Sequence, residues 1–599
     1  MSRSCNIRVI RNCLATMVAV AVFAIAVSPA SAATYSWLAK SGTGDWTTAS
    51  NWSLNSSYPG ADAANLDVAQ FNGDLTGPLG ANLDTSVSIA SLFLGDTVQD
   101  GGVSWNPTTV STTNASTLRF VTTGTAVISL VGANSAGTEN LIAPDIFINA
   151  PTLEFRNNLT SGGGANGRGN LALTGNVTSG TTGNHIIRVT PGGNTTNTCY
   201  WDFRGNITDG PGVVSFFFRK DGTTGSSATR TIKLSGTGNT FSGGINFTSG
   251  SGAIIESSPA SGTTGALGTG LITMTTSANA TLNLGGSLST VTEVAAINIG
   301  AGTKRIANIG AGHRILSGTV NQASGQPLTL ACSNAGNLTF SNAFHGTGPV
   351  TISSTGSGKV IFSGTGSTHS GTVTIQSRGL QLAGGSALAA SKIVPLAGGT
   401  MTLTPALQAV VGGLSPNAGG LTDVGSGHVT VAAGLPVADL LVALNAGRGD
   451  GSWSGTSGIT SSTATANVAA TIPRTVGWLD NGDGSMTFAY AAPGDTNLDW
   501  QIDVLDAGNF LSFGKFDTGL AATWQEGDFN YDGVVDVLDA ADFFGTGLYD
   551  AGVYNPPAGA AGALAAVPEP SGLGAVALVA VAWLVHRRTR RRWFQAVTR

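Results

Sequence analysis

The chain has 599 residues, of which 86 are glycine, and only 10% are charged. That length allows several domains and a large core. A background of Gly, Ser, Thr, Ala and Asn with few lysines excludes a helix bundle, and 41% apolar content at low net charge excludes a disordered chain.

Residues 1–32 open with Arg3, Arg8 and Arg11, continue through an apolar stretch from Leu14 to Val27, and end on Ala30-Ser31-Ala32. This is the layout of a secretory signal peptide and predicts export. Setting aside this segment and the tail from Val567 on leaves 19 basic and 32 acidic side chains, a net charge of about −13. No basic stripe with interleaved aromatics remains to neutralise phosphates, so nucleic acid is excluded as a partner. Cys199 and Cys332 are too few for a disulfide framework and are expected to sit several turns of chain apart, unbonded.

Residues 33–109 carry Trp37, Trp46 and Trp52 and read as an N-terminal cap with the first strands. Residues 110–440 are short apolar or alternating runs, such as Leu118 to Thr123, Thr231 to Leu234 and Val373 to Ile375, cut by Gly, Ser and Asn. Ile232 to Phe247 matches Val360 to Ile375, and Leu171 to Gly180 is a weaker copy. Strands too short to bury a face alone stack on their neighbours at ~4.8 Å, which predicts a solenoid rather than separate sandwiches. Residues 441–490 read as a closing β segment.

The motif shared by those repeats resembles the autotransporter-associated β-strand repeats of secreted bacterial proteins. That resemblance implies a right-handed parallel β-helix. Such folds host polysaccharide-degrading enzymes, which need paired carboxylates. From Ser257 to Thr422 the sole acid is Glu293, and Asp202, Asp209 and Asp221 are the one loose acidic group in the body. His185, His313, His345, His369 and His428 are scattered and are expected at the surface or in turns. Arg448-Gly449-Asp450 carries no weight as an adhesion motif.

Acid content changes abruptly near Pro493. Ala33 to Tyr490 holds 20 acids, whereas Asp495 to Asp550 alone holds 12. Residues 491–555 are therefore a separate module. Asp495, Asn497, Asp499, Gln501, Asp503 and Asp506, and then Asp528, Asn530, Asp532, Val534, Asp536 and Asp539, occupy positions 1, 3, 5, 7, 9 and 12 of two 12-residue loops. A hard cation takes six to eight oxygens from alternate side chains of such a loop and from the carbonyl at position 7, here Gln501 and Val534. The spacing predicts two Ca²⁺ sites. Gly494 to Gly519 matches Gly527 to Gly552 at 13 of 26 positions, so the ligand pattern is duplicated.

These loops resemble type I dockerin repeats, which are EF-hand-like loops each followed by one helix. Two departures stand out. Position 6, where glycine is usual, is Gly533 in the second loop but Trp500 in the first, and the strain predicts a weaker first site. Positions 10 and 11 are Val504-Leu505 and Val537-Leu538 instead of small hydroxyl residues. This points away from cohesin recognition and toward apolar docking of the module on its own solenoid or on another partner. Ala507 with Phe510-Leu511 and Ala540 with Phe543-Phe544 suit two short helices closing a small core.

Residues 556–566 are a Pro/Gly/Ala linker, and 567–599 hold Val567-Pro568-Glu569-Pro570, an apolar segment to Val585 and an arginine cluster. At 15 residues, Ser571 to Val585 spans about 22 Å as a helix, marginal against a ~30 Å hydrocarbon core. This order resembles the PEP-CTERM sorting signal of exopolysaccharide-producing bacteria. It implies an exosortase-type processing enzyme, transient engagement of the inner membrane, and a destination in the envelope, surface or matrix. The expected fold is thus mainly β: a parallel β-helix, then a small α-helical dockerin-like domain with two calcium loops, with signal and tail helices at the ends. The expected function is a non-enzymatic surface or matrix structural or adhesive protein touching surface polysaccharide or a protein partner. A displayed polysaccharide-degrading enzyme and a cohesin-bound scaffold component are the alternatives.

Overall fold

The computed structural model describes residues 32–96, 108–131, 139–157, 169–190, 199–219, 230–249, 253–275 and 279–556. The signal segment up to Ser31, Asp221, and the linker and tail from 557 on lie outside the described residues. Among those described, no helix is long and apolar enough to cross a membrane.

The body is mainly β, and its strands pair in parallel along three faces of a β-helix-like solenoid. One face runs through twelve strands from Thr34–Ser36 to Phe344–Gly346. A second begins at Gly42–Asp45, and a third appears first as five strands, Val87–Ile89 to Ile207–Thr208, and later from Thr290–Glu293 onward. Alternation builds the core. Leu171, Trp201, Ile232, Ile255, Leu282, Ile306, Leu330 and Ile352 sit opposite one another on successive rungs, and all are buried. A rung takes about 30 residues where Leu171 faces Trp201 and about 22 where Leu330 faces Ile352.

Corners explain the composition. A Cβ on Gly205 would lie 2.0 Å from the Gly175 carbonyl oxygen, and one on Gly236 would lie 2.6 Å from that of Gly205. Only glycine lets the stacked backbones approach this closely. Beside them the side chains form their own ladder: the Asn176 N–H donates to Asp145 (2.7 Å), Asn206 N–H to Asn176 (2.9 Å), and Gly238 N–H to Asn206 (2.8 Å). Each rung thereby fixes the register of the next.

Several expectations change. Within 33–109 the first rung is already present, Thr34–Ser36 pairing with Val68–Phe71, and the tryptophan cluster lies in that rung. Trp46 and Trp52 are fully buried, and Trp52 meets Trp37 edge-on at 4.9 Å. The two matched repeats occupy different faces: Arg230–Leu234 pairs with Cys199–Phe203, whereas Val360–Phe362 pairs with Leu338–Phe340 on another face. The shared motif is a strand, corner and strand that serves more than one corner. Cys332 is a buried free thiol, its pKa pushed up to about 11 by burial, and so forms no bridge to Cys199. His185 and His369 are buried rather than superficial, held by the carbonyls of Ala150 (2.8 Å) and Gly348 (3.0 Å).

The segment 441–490 is not all β. Helix α1 (Val437–Arg448) buries Leu440, Ala443, Leu444 and Gly447, and α2 (Ser462–Ala469) is capped by Ser461. The hairpin Thr475–Asp480 with Met486–Ala491 then pairs antiparallel to His428–Val431 and ends the parallel stack. The last segment forms α3 (Val504–Ser512) and α4 (Val537–Gly545), each following one acidic loop.

Candidate metal centre

Both acidic loops have the same internal bonds. In the first, Asp495 accepts the N–H groups of Asp499 (3.2 Å) and Trp500 (3.0 Å), and Asp499 accepts that of Gln501 (2.9 Å). In the second, Asp528 accepts those of Asp532 (3.1 Å) and Gly533 (3.0 Å), and Asp532 that of Val534 (3.0 Å). Asn497 and Asn530 bond identically to Asp499 and Asp532. Asp503 and Asp536 are the N-caps of α3 and α4, completed as capping boxes by Asp506 and Asp539. The loops therefore curl by satisfying their own backbone, which brings position-1 and position-12 carboxylates under the same turn.

The repeats are interlocked. Ile502 bridges to Tyr549 and Val535 to Phe516, so each loop pairs with the end of the other repeat. A Cβ on Gly494 would strike Phe543, and one on Gly527 would strike Phe510. Phe510 and Phe543 stand 5.7 Å apart in the shared core. Neither half closes alone.

Electrostatics in the loops is unfavourable without a counter-charge. Burial pushes the Asp495 carboxyl up to about 7; a hydrogen bond from Tyr554 opposes this, and the charges of Asp506 and Asp499 add to it. Asp528 is raised to about 6 by burial, against the Gly533 N–H and with repulsion from Asp539 and Asp532. Asp506 and Asp539 are raised as well, again mainly by burial. Among the described residues no three His, Cys, Asp or Glu side chains are drawn together as a ready-made cluster. The donor set is nevertheless all oxygen, and each carboxylate oxygen that accepts one N–H keeps further acceptor capacity. The residues fit a hard cation by their chemistry.

The first loop differs from the second where it meets the solenoid. Trp500 holds φ 67 where Gly533 holds φ 87, a left-handed conformation that strains a non-glycine residue by roughly 1–2 kcal/mol. Its indole is buried, donates to the Tyr490 carbonyl (2.9 Å) and meets His428 edge-on at 6.5 Å. Trp524 is fully buried and donates to the Asp495 carbonyl (2.8 Å). The Tyr531 hydroxyl donates to the Val476 carbonyl, and Arg448 lies 5.8 Å over its ring. Tyr554 donates to Asp495 (2.5 Å) and accepts the Ala492 N–H (2.9 Å).

Docking on the solenoid is thus aromatic, and the expectation for positions 10 and 11 is corrected. Val504, Leu505, Val537 and Leu538 are 58–69% exposed and face away from it. Leu511 and Phe544 are exposed too, leaving Phe510 and Phe543 as the buried helix anchors. The signal for docking lay in the duplicated alignment: Trp500 opposes Gly533, and Tyr554 opposes Ala521. Aromatic residues break the repeat where the repeat meets something else.

Among the described acids of the body, Glu139 and Asp202 meet on Arg204, Glu139 at 2.8 Å. Asp202 accepts from Ser235 (2.6 Å) and Arg204 (3.0 Å) and lies 3.9 Å from Lys233. Asp209 accepts the N–H groups of Val214 and Ser242. Glu293 is buried beside Ser257 and Leu267, its pKa pushed up to about 7 by burial. No protein-family model matches the chain, and neither a curated protein nor a solved structure matches it.

Proposed function

We propose that this is an exported structural or adhesive protein of the cell surface or extracellular matrix. In this reading a β-solenoid stalk carries a dockerin-like module ordered by two Ca²⁺ ions, and a PEP-CTERM tail sorts it through the inner membrane by way of an exosortase-type enzyme. The observation that carries the reading is the duplicated acidic loop, with the same internal bonds in both copies and buried carboxylates that repel one another. Asp495, Asn497, Asp499, Asp503 and Asp506, with the Gln501 carbonyl, would hold one ion. Asp528, Asn530, Asp532, Asp536 and Asp539, with the Val534 carbonyl, would hold the other. A bound cation supplies the positive charge that these carboxylates lack. The partner is surface polysaccharide or a protein, met along the stalk or through the exposed Val504, Leu505, Val537 and Leu538.

Calcium titration calorimetry on the full chain tests the reading. Two sites are expected, one abolished by Asp495→Ala and the other by Asp528→Ala. Absence of calcium binding would overturn it. Assays on acidic and neutral polysaccharides address the enzymatic alternative, and cleavage lost on Asp202→Ala would favour that alternative.

A further inference from the structure

The asymmetry between the two loops has one spatial pattern: the first loop is tied to the solenoid end through its position-1 carboxylate, whereas the second is tied through Tyr531, whose hydroxyl reaches the Val476 carbonyl and not Asp528. Asp495 is fully buried and occupies position 1 of the first loop. Its side chain accepts the Tyr554 hydroxyl, and that same hydroxyl accepts the Ala492 N–H at the end of the closing hairpin. Its carbonyl accepts the Trp524 indole, which packs where a Cβ on Gly477 would stand, 2.6 Å from the ring. Trp500, five residues on, reaches Tyr490 on the same hairpin, and its own carbonyl accepts the Tyr554 N–H (2.9 Å). Asn555 next to Tyr554 donates to the Ser426 carbonyl (2.8 Å). In the second loop Gly533 stands in place of Trp500 and Ala521 in place of Tyr554; the Gly533 carbonyl still accepts an N–H, from Ala522 (2.9 Å), but neither alanine carries a hydroxyl to donate to Asp528.

We infer that Tyr554 and Trp500 are positioning residues through which docking on the solenoid end sets the cation affinity of the first loop, and through which a cation there holds the module on the solenoid. The inference rests on the calcium reading. A hydroxyl that donates to a ligand carboxylate fixes the orientation of that carboxylate, and losing such a partner typically costs 10–100-fold in metal affinity. Linkage is reciprocal: whatever factor docking gives to cation binding, cation binding returns to docking. The solenoid thereby gains a closure for its last rung that responds to calcium through the first loop, while the second loop, tied to the same hairpin by Tyr531, is not touched by Tyr554 at its position-1 carboxylate.

The two accounts of Trp500 predict opposite signs. Were backbone strain decisive, Trp500→Gly would tighten the first site, because glycine holds φ 67 without cost. Under the coupling it weakens the site, because the indole anchor is lost.

The test uses calcium chloride and the full chain, with the loops isolated by Asp528→Asn, which leaves the first to titrate, or Asp495→Asn, which leaves the second. In the Asp528→Asn chain, Tyr554→Phe is expected to raise Kd for calcium at least tenfold, and Trp500→Gly to raise it as well. In the Asp495→Asn chain, Tyr554→Phe is expected to change Kd by less than about twofold. Hydrogen exchange gives the second readout: calcium slows exchange of Met486–Ala491 in the unaltered chain and no longer does so with Tyr554→Phe. An unchanged first-site Kd with Tyr554→Phe, or a tighter one with Trp500→Gly, overturns the coupling while leaving calcium binding intact. No binding in the unaltered chain overturns both.

Discussion

The solenoid and the module solve the problem of short elements in opposite ways. Along the solenoid, Leu171, Trp201, Ile232 and their successors repeat one contact, so each rung is stabilised by its immediate neighbours and the interactions add along the axis. In the module, each half is completed by the other, as Ile502 with Tyr549 and Val535 with Phe516 show. The solenoid satisfies corner polar groups with side-chain ladders such as Asp145–Asn176–Asn206, whereas the module concentrates carboxylates that repel. Repetition in one dimension tolerates local change. A closed two-fold unit built around like charges is the part that the proposed cation would stabilise.

The largest expected effect that sharpens this contrast is a cavity in the stack. Phe216 is buried and meets Phe203 at 5.3 Å and Phe241 at 5.5 Å. Phe216→Ala should cost ~3–5 kcal/mol, and exchange measured residue by residue should place the loss in adjoining rungs, with Thr372–Leu382 unaffected. A loss spread evenly over the whole body would break the neighbour-by-neighbour picture.

Glu293 gives the next effect. Its folded pKa of about 7 lies above the ordinary 4.5, chiefly through burial. The folded state therefore binds a proton more tightly than the unfolded one, and the associated stability is complete below pH 4.5 and lost as pH rises through 7. Urea unfolding of the solenoid should weaken over this interval by on the order of 3 kcal/mol. Glu293→Gln should flatten that dependence, and an unchanged slope would remove Glu293 as its source.

The smallest effect concerns the exposed pairs. Leu505→Ser and Leu538→Ser should shift stability by no more than ~0.5 kcal/mol and leave exchange in Met486–Ala491 unaltered. A large loss of docking would reinstate positions 10 and 11 as the contact with the solenoid.

Much of this architecture was legible in the sequence because its signals are local. Short strands cut by glycine specify stacking, and the acidic spacing from Asp495 to Asp506 specifies a loop that curls on its own N–H groups. Helix α1 was missed: Leu440, Ala443, Leu444 and Gly447 follow a helical period after Pro436, but the segment reads as β because its neighbours are strands. The faces of the repeats were not legible, because the strand-corner-strand motif at Ile232 and at Val360 fits more than one corner. Nor was the docking surface, since a tryptophan at position 6 reads as strain until Tyr490 and His428 are seen beside it. Burial of His185 and His369 depends on carbonyls more than 20 residues away, which no local pattern carries.

The central claim is that calcium orders the module while the solenoid stands without it. Hydrogen exchange of the full chain, in calcium and then in chelator, tests this most directly. At 1,000-fold excess over Kd each site contributes ~4.1 kcal/mol, so chelation should release amides throughout 494–552, partly release Met486–Ala491, and leave the rungs from Thr34 to Leu414 protected. Equal protection of 494–552 in both conditions, or loss of the rungs together with the module, would contradict the account.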